Sequence, residues 1–451
     1  MEYKGDTISA ISTPIGIGGI SVLRISGEHS IPVVEEIFHS SKKLSKIKSH
    51  QAAFGRICDN DQLIDEVLVT VFLAPHSYTG EDVVEISCHG STFVTNQILE
   101  MLLRHTRLAD PGEFTQRAFL NDKIGLTQAE AVGDILTAKT KISHLAAMQQ
   151  FEGSLRKRIE KLLQKTTEYR TLLELEIDFT EQGLEQLDKE QLGGQLTELR
   201  QELEKLVETG TEGLILKEGL KVSLVGAPNV GKSSIFNAFL QTERAIVTPH
   251  PGTTRDYLEE AINLQGYLIR FFDTAGIRET SDDIEKIGIA RSYEIIRDSH
   301  RILFIIDGKE NENEYAKLLE FTSESRIIKV LNKSDLFPKG KLDDFRTKGY
   351  LICSVTDTSG LQELKEKLIE DILISREELQ SGILTNTRQI AAVKKAVEST
   401  QKAIESLQND LGYEFTAFDL KEASTALEEI IGKVTTDDIL NQIFENFCIG
   451  K

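Results

Sequence analysis

The run Gly226-Ala227-Pro228-Asn229-Val230-Gly231-Lys232-Ser233, followed by Ser234, sets two glycines, a lysine and a hydroxyl at the spacing of a phosphate-binding loop. Glycines let the backbone N–H groups around Asn229, Val230 and Gly231 close on phosphate oxygens. Lys232 reaches the outer phosphates, and the Ser233 hydroxyl is a ligand for Mg2+. Three more groups follow in order. In Gly252-Thr253-Thr254, Thr254 can complete a Mg2+ shell. Asp273-Thr274-Ala275-Gly276 offers an acid to the metal's shell and a backbone N–H, at Gly276, that can sense a γ-phosphate. In Asn332-Lys333-Ser334-Asp335, the Asp335 carboxylate matches the N1–H and exocyclic amino group of guanine. Adenine leaves that carboxylate unpaired, at a cost of about 1–3 kcal/mol or more. One such match is readily an ordinary turn; four in this order specify GTP with magnesium.

The groups that would drive hydrolysis are less obvious. Many such sites carry a Gln directly after the Asp-x-x-Gly element to orient water, and here that position is Ile277. Glu285, in the acidic stretch Ser281–Lys286, is the candidate for that task. Arg255 and Arg278 are candidates for a charge-stabilising arginine, and a bound monovalent cation could do the same work. The turn expected to contact the base reads Ser354-Val355-Thr356 where Ser-Ala-Lys is usual, which keeps backbone contact but weakens side-chain stacking. Pro249-His250-Pro251 makes the loop before Thr254 proline-rich.

These motifs need strands to carry them. Lys221–Val225, Leu268–Phe272, Ile302–Ile306, Ile327–Leu331 and Tyr350–Cys353 read as strands, several apolar throughout, as buried parallel strands are. They alternate with helical runs, so an α/β domain is expected over residues 215–375. Residues 1–120 mix short strands, among them Ile20–Ile25 and Val67–Leu73, with turns, as in a small α+β domain. Long helices are expected over 121–214 and again over 376–451. In the first stretch Leu192, Leu196, Leu199, Leu203 and Leu206 form one apolar stripe, and helix is expected to stop at Gly210–Gly213. In the second, Val393, Ala396, Val397, Ile404 and Leu407 share a face. A helical domain split by an inserted α/β domain is the economical arrangement.

Composition limits the setting. At 451 residues the chain exceeds one compact core. Its 52 basic and 72 acidic residues give a net charge of −20, so bulk charge does not draw it to membranes or nucleic acid. A local patch or a partner must supply any positive surface. No apolar run approaches the roughly 18 residues of a membrane span, and the amino terminus lacks a signal-peptide pattern. Cys58, Cys88, Cys353 and Cys448 show no metal-type spacing and read as free thiols in a reducing cytoplasm. Gly16-Ile17-Gly18-Gly19 is not a dinucleotide-binding fingerprint, because Ser21 stands where its third glycine belongs.

Two flanking segments are narrower signatures. Asp110-Pro111-Gly112-Glu113-Phe114-Thr115-Gln116-Arg117-Ala118-Phe119-Leu120-Asn121-Asp122-Lys123, continuing through Leu126–Ala131, resembles the signature of the MnmE (TrmE) family of tRNA-modification GTPases. So does Phe447-Cys448-Ile449-Gly450-Lys451. The resemblance spans the chain. It implies an amino-terminal folate-binding and dimerisation domain, a discontinuous helical domain and an inserted Ras-like G domain. It also implies a homodimer that joins an FAD-dependent partner (MnmG, or GidA, drawing on NADH) in a heterotetramer or larger complex. That complex modifies carbon 5 of the wobble uridine of certain tRNAs with a carbon from a tetrahydrofolate derivative, in the 5,10-methylene or 5-formyl form. GTP hydrolysis is then potassium-stimulated and the setting cytoplasmic, without membrane contact.

By motif match the resemblance makes Arg24, Glu85, Lys123 and Lys451 folate contacts. Asn229 becomes a K+ ligand, with main-chain oxygens around Thr248, His250 and Thr253, and Glu285 falls at the water-activating acid. Cys448 is a candidate reactive thiol; the ending Ile449-Gly450-Lys451 fits prenylation poorly. From chemistry alone Arg24 and Glu85 are as well an ordinary ion pair, and Lys123 a solvated helix residue. The competing function is a regulatory switch GTPase in ribosome or RNA assembly that modifies no base.

Overall fold

The computed structural model of the chain describes residues 5–60, 62–179, 188–242, 244–245, 259–273, 293–309, 312–372, 374–445 and 447–451. It divides into two compact units, residues 1–136, 150–200 and 395–451 in one and 137–149 and 201–394 in the other.

In the first unit the strands are β1 (Ile8–Ile11), β2 (Ile20–Ser26), β3 (Phe38–His39), β4 (Gln51–Asp59), β5 (Gln62–Phe72), β6 (Val83–His89) and β7 (Arg107–Leu108). They form a sheet in the order β3-β4-β5-β6-β2-β1-β7, antiparallel except where β1 meets β7. Period-2 alternation sends Leu23, Ile25, Val67, Val69, Val71 and Ile86 into one core with Val33, Val34, Ile98 and Leu102 of helices Ser30–Ile37 and Thr92–Leu102. The other face carries Val22, Arg24, Phe54, Leu68, Glu85 and Ser87, paired across the strands. Gly16–Gly19 join β1 to β2, so a strand follows them and no helix N-terminus awaits a pyrophosphate.

The same unit contains a helical core. Leu173 of helix Ser154–Phe179, with Leu192 and Leu196, packs against Ala403, Ile404, Leu407, Ala417 and Leu420. Residues before and after the α/β segment therefore share one apolar interior. Leu126 and Ala129 likewise meet Leu440 and Phe444.

The second unit contains β8 (Leu220–Val225), β9 (Arg244–Ala245), β10 (Glu259–Leu264), β11 (Tyr267–Asp273), β12 (Arg301–Ile306), β13 (Ile327–Leu331) and β14 (Leu351–Ile352), ordered β14-β13-β12-β8-β11-β10-β9. From β11 to β14 the pairs are parallel; β10 and β9 are antiparallel additions. Both faces are covered. Leu303 and Ile305 enter one core, while Ile302, Phe304 and Ile306 enter the other, which is why this strand is apolar from Ile302 to Ile306. The chain leaves β8 to build one side of the sheet and then returns to build the other. The carboxyl end of β8 is thus a topological switch point, where ligands of open α/β sheets bind.

One expectation fails. Helix Lys189–Glu218 runs straight through Gly210–Gly213. Those glycines are there for close approach. A Cβ on Gly210 would meet Ile390 Cγ1 at 2.7 Å, and one on Gly213 would meet the Leu384 carbonyl oxygen at 1.9 Å. The helix ends at Gly219 (φ +95°), whose N–H donates to Ile215 O at 2.8 Å.

Candidate functional site

The phosphate-loop motif leaves β8 and enters helix Lys232–Thr242. Two backbone positions shape it. Gly226 (φ +148°) would place a Cβ 2.2 Å from Ile305 O, and Gly231 (φ +99°) would place one 2.1 Å from Asn332 Nδ2. No side chain fits either position. Asn229, exposed, takes the left-handed conformation at φ +64°. The Lys232 ammonium donates to Gly226 O (2.6 Å) and Ala227 O (3.1 Å), across the loop itself. Ser233 and Ser234 occupy the first turn of the helix with exposed side chains. N–H groups at a helix start and a lysine together favour an anion.

The second wall comes from the ends of β13 and β14. Buried Asn332 donates from Nδ2 to Val230 O at 2.9 Å, tying this segment to the phosphate loop, and its Oδ1 finds no partner among the described residues. Lys333, left-handed at φ +58°, donates to Asn229 O (2.7 Å) and to Asp307 Oδ2 (3.1 Å). Asp335 is exposed, and its Oδ1 accepts the buried Ser354 hydroxyl at 2.6 Å. The Ser354 oxygen in turn accepts Thr356 N–H at 3.2 Å, while Val355 packs on the neighbouring core. Ser354 therefore orients the carboxylate expected to read guanine. Asp307 was not anticipated, although an acid directly after the strand Ile302–Ile306 was the available signal.

Asn229, Val230, Gly231, Lys232, Asn332, Lys333, Asp335 and Ser354 are thus linked by hydrogen bonds or close packing at one sheet edge. Asp273 ends β11 beside Leu224 of β8. Thr248, Pro249, His250, Pro251, Gly252, Thr253, Thr254, Thr274, Ala275, Gly276 and Glu285 lie outside the described residues, as do Arg255, Ile277 and Arg278.

A second constellation occupies the first unit. Arg24 and Glu85 face each other across β2 and β6; Arg24 Nε and Nη2 bond Glu85 Oε1 at 2.9 and 2.8 Å. The side chains are 15% and 27% exposed, so the pair is neither fully solvated nor sealed. The guanidinium carbon lies 5.2 Å from the Tyr78 ring centre and 5.6 Å from that of Phe114. Lys123 packs on Gly80 and donates to Pro75 O at 2.8 Å, so it holds the far side of the loop that carries Tyr78. The final residues dock here too. Phe114 N–H donates to Lys451 O (3.0 Å), Gly112 N–H to Cys448 O (3.4 Å), and Ser12 Oγ to Gly450 O (3.0 Å). Gly450 (φ +94°) is required, since a Cβ would meet Ile11 O at 2.3 Å. The Cys448 side chain is exposed.

Beneath these residues lies an ionic network that the sequence did not reveal. Arg117, 2% exposed, reaches Asp6 (2.8 Å), Glu81 (3.2 Å) and Glu113 (2.8 Å). Arg107 bonds Glu113 at 2.7 Å and Asp6 at 2.8 Å. The Arg107 bond leads in holding the Asp6 carboxyl below its ordinary range. Burial works against ionising Glu113, but Arg107, the Asp110 N–H and Arg117 outweigh it and its pKa falls. At Glu81 burial outweighs Arg117 and the pKa rises. The network fixes the start of helix Glu113–Leu120 and with it Phe114.

Two family models together match almost the whole chain. The model of the GTP-binding protein TrmE N-terminus matches residues 7–123, and that of the MnmE helical domain matches residues 126–448. The tRNA modification GTPase MnmE of Clostridioides difficile is 42% identical over 461 residues, covering 100% of both chains. That of Christiangramia forsetii is 39% identical over 470 residues, covering 99% of each. Among solved structures, the G domain of the T. maritima FeoB iron transporter aligns at 31% identity over 34% of this chain and 97% of that one, with a TM-score of 0.27. No helix among the described residues is long and apolar enough to cross a membrane.

Proposed function

The chain belongs to the tRNA modification GTPase MnmE family, and from that premise we propose a potassium-stimulated GTPase that modifies carbon 5 of the wobble uridine in certain tRNAs. An FAD-dependent partner of the MnmG type shares the work, and an aminomethyl or carboxymethylaminomethyl group is installed with a carbon from a tetrahydrofolate derivative. The observation that carries this reading is the meeting of both flanking signatures at Phe114. Its N–H holds Lys451 and its ring flanks Arg24.

The donor set suits such a ligand. Tyr78 and Phe114 offer aromatic surface, Arg24 a planar cation, and the Arg24 bonds fall on Glu85 Oε1, which leaves Oε2 for a ligand N–H. On the same sheet face Phe54 and Leu68 stand opposite each other, 66% and 45% exposed. This apolar area supports a homodimer formed through the first unit.

At the nucleotide site, Gly226 and Gly231 keep the loop open to phosphates and Lys232 exchanges its loop carbonyls for phosphate oxygens. Asp335, held by Ser354, selects guanine. Ser233, Thr254 and Asp273 would hold Mg2+, and Asn229 would contribute to a K+ site; these ions supply charge stabilisation for the phosphoryl group. Glu285 is the group that activates water.

A strain lacking the protein should lose the carbon-5 modification, read by mass spectrometry of tRNA nucleosides. Normal levels would refute the proposal. GTP turnover should be much faster in KCl than in NaCl, and Glu285→Ala should slow it while leaving GTP affinity nearly intact.

A further inference from the structure

The chain carries −20 net charge, yet between Glu36 and Asp59 it has no acid and five cations, Lys42, Lys43, Lys46, Lys48 and Arg56. The four lysines are all exposed and sit on a fixed frame. Leu44, the first residue of the 3₁₀ turn Leu44–Lys46, and Ile47, directly after it, are buried in the core of the first unit. Lys46 N–H donates to Lys43 O (3.1 Å) and Ile47 N–H to Leu44 O (2.9 Å). With three residues per turn, burying Leu44 and Ile47 turns Lys43 and Lys46 outward together, about 6 Å apart along the turn. Lys42 and Lys48 flank them.

The surrounding acids are already engaged. Glu35 Oε1 accepts both the N–H and the hydroxyl of Ser45, at 2.7 and 2.8 Å. Glu36 pairs with His105, Glu66 with Arg56, and Asp59 with Arg104. Among the described residues no ion pair joins any of the four lysines to a carboxylate, and Lys43 acts on Glu35 only through space. At physiological salt, charges act over about 8–10 Å, so this patch presents positive potential whatever the charge of the whole chain.

From this geometry we propose that Lys42, Lys43, Lys46 and Lys48 form a docking surface for the phosphate backbone of tRNA. The inference rests on the tRNA-modification reading and adds that this chain itself touches the RNA. Ammonium groups on a rigid turn suit phosphates and carry no base-reading geometry. A lipid surface fits less well, because the large apolar side chains of the lysine-bearing stretch 42–48, Leu44 and Ile47, are both buried and neither is left to enter a bilayer.

The test is binding of labelled bulk tRNA to the full chain across a salt series. The comparison is with a variant carrying Lys42→Gln, Lys43→Gln, Lys46→Gln and Lys48→Gln. Four lost contacts should reduce the slope of log K against log salt by about 3–4. The affinity gap between wild type and variant should then shrink roughly 100-fold between 50 and 200 mM salt. Basal GTP turnover and melting temperature should not change, and replacing all four lysines by arginine should restore tRNA binding. Equal slopes and affinities would overturn the proposal, as would absence of tRNA binding by the wild type. So would a difference seen only with phosphatidylserine vesicles. A strain with normal modified uridines would instead refute the modification reading, so the two failures are distinguishable.

Discussion

The two sheets hold their candidate sites in different ways. In the second unit the site is made mainly of backbone. Positive-φ glycines, loop carbonyls and strand ends create it at the switch point of a parallel sheet, and its side chains lie in short motifs directly after strands. In the first unit the site rests on the open face of an antiparallel sheet and is held by side chains from distant segments. Asp6, Arg24, Glu81, Glu85, Arg117 and the chain from Cys448 to Lys451 all contribute. A backbone cradle tolerates change in neighbouring side chains but no added Cβ. A buried ionic frame tolerates loss of no single member.

That contrast predicts where damage falls. The largest effect is expected from Arg117→Met, which takes the arginine from the largely buried Glu81 and leaves Asp6 and Glu113 to Arg107 alone. It should destabilise the first unit by about 3–5 kcal/mol in denaturant unfolding, while GTP affinity is retained. Wild-type stability should also depend on acid. Asp6 and Glu113 have lowered pKa values in the fold, so their contribution is complete above the ordinary carboxylate range and is lost as pH falls through the folded values. Glu81 has the opposite sign, with its contribution lost as pH rises through its raised value. Arg117→Met should weaken the acid-side dependence of Asp6 and Glu113; an unchanged pH profile would show that the arginine does not hold them.

In the second unit, Asp335→Ala should weaken GTP binding about 100-fold, since two charge-assisted bonds to guanine disappear. Titration with a fluorescent GTP analogue measures this, and near-normal affinity would contradict the base-reading role. Ser354→Ala should cost less, about 3–10-fold, because the carboxylate remains and only its orienting hydroxyl is lost. The smallest effect concerns thiols. Burial is the main cause that pushes both Cys88 and Cys353 up to about 11, whereas Cys448 is exposed. Maleimide at neutral pH should label Cys448 in the native protein and reach Cys88 and Cys353 only after unfolding, with GTP turnover unaltered by the label.

The limits of sequence reading follow the same contrast. Apolar runs identified the strands around β8 and β12 because both faces are buried, and a short β-like run bounded by turn residues identified β2. The Leu192–Leu206 stripe is fully buried in its helix. Gly210–Gly213 misled because a glycine serves equally to end a helix or to admit another segment, and only the proximity of Leu384 and Ile390 distinguishes the two. Phe114 lay inside a segment already singled out and Tyr78 did not, and their common contact with Arg24 depends on how β2, the loop before β6 and the helix after Gly112 come together.

By itself the sequence determined the nucleotide chemistry. A phosphate loop and the carboxylate proposed to read guanine are local objects, and local spacing with the handedness of the backbone suffices to specify them. It also carried the family resemblance in its two flanks. Tertiary structure alone decided that those flanks meet at Phe114, that Arg117 binds three acids, and that Leu44 and Ile47 turn four lysines outward. Those arrangements depend on contacts between residues tens to hundreds of positions apart. No local rule of spacing encodes such contacts, and burial of a shared core brings them about.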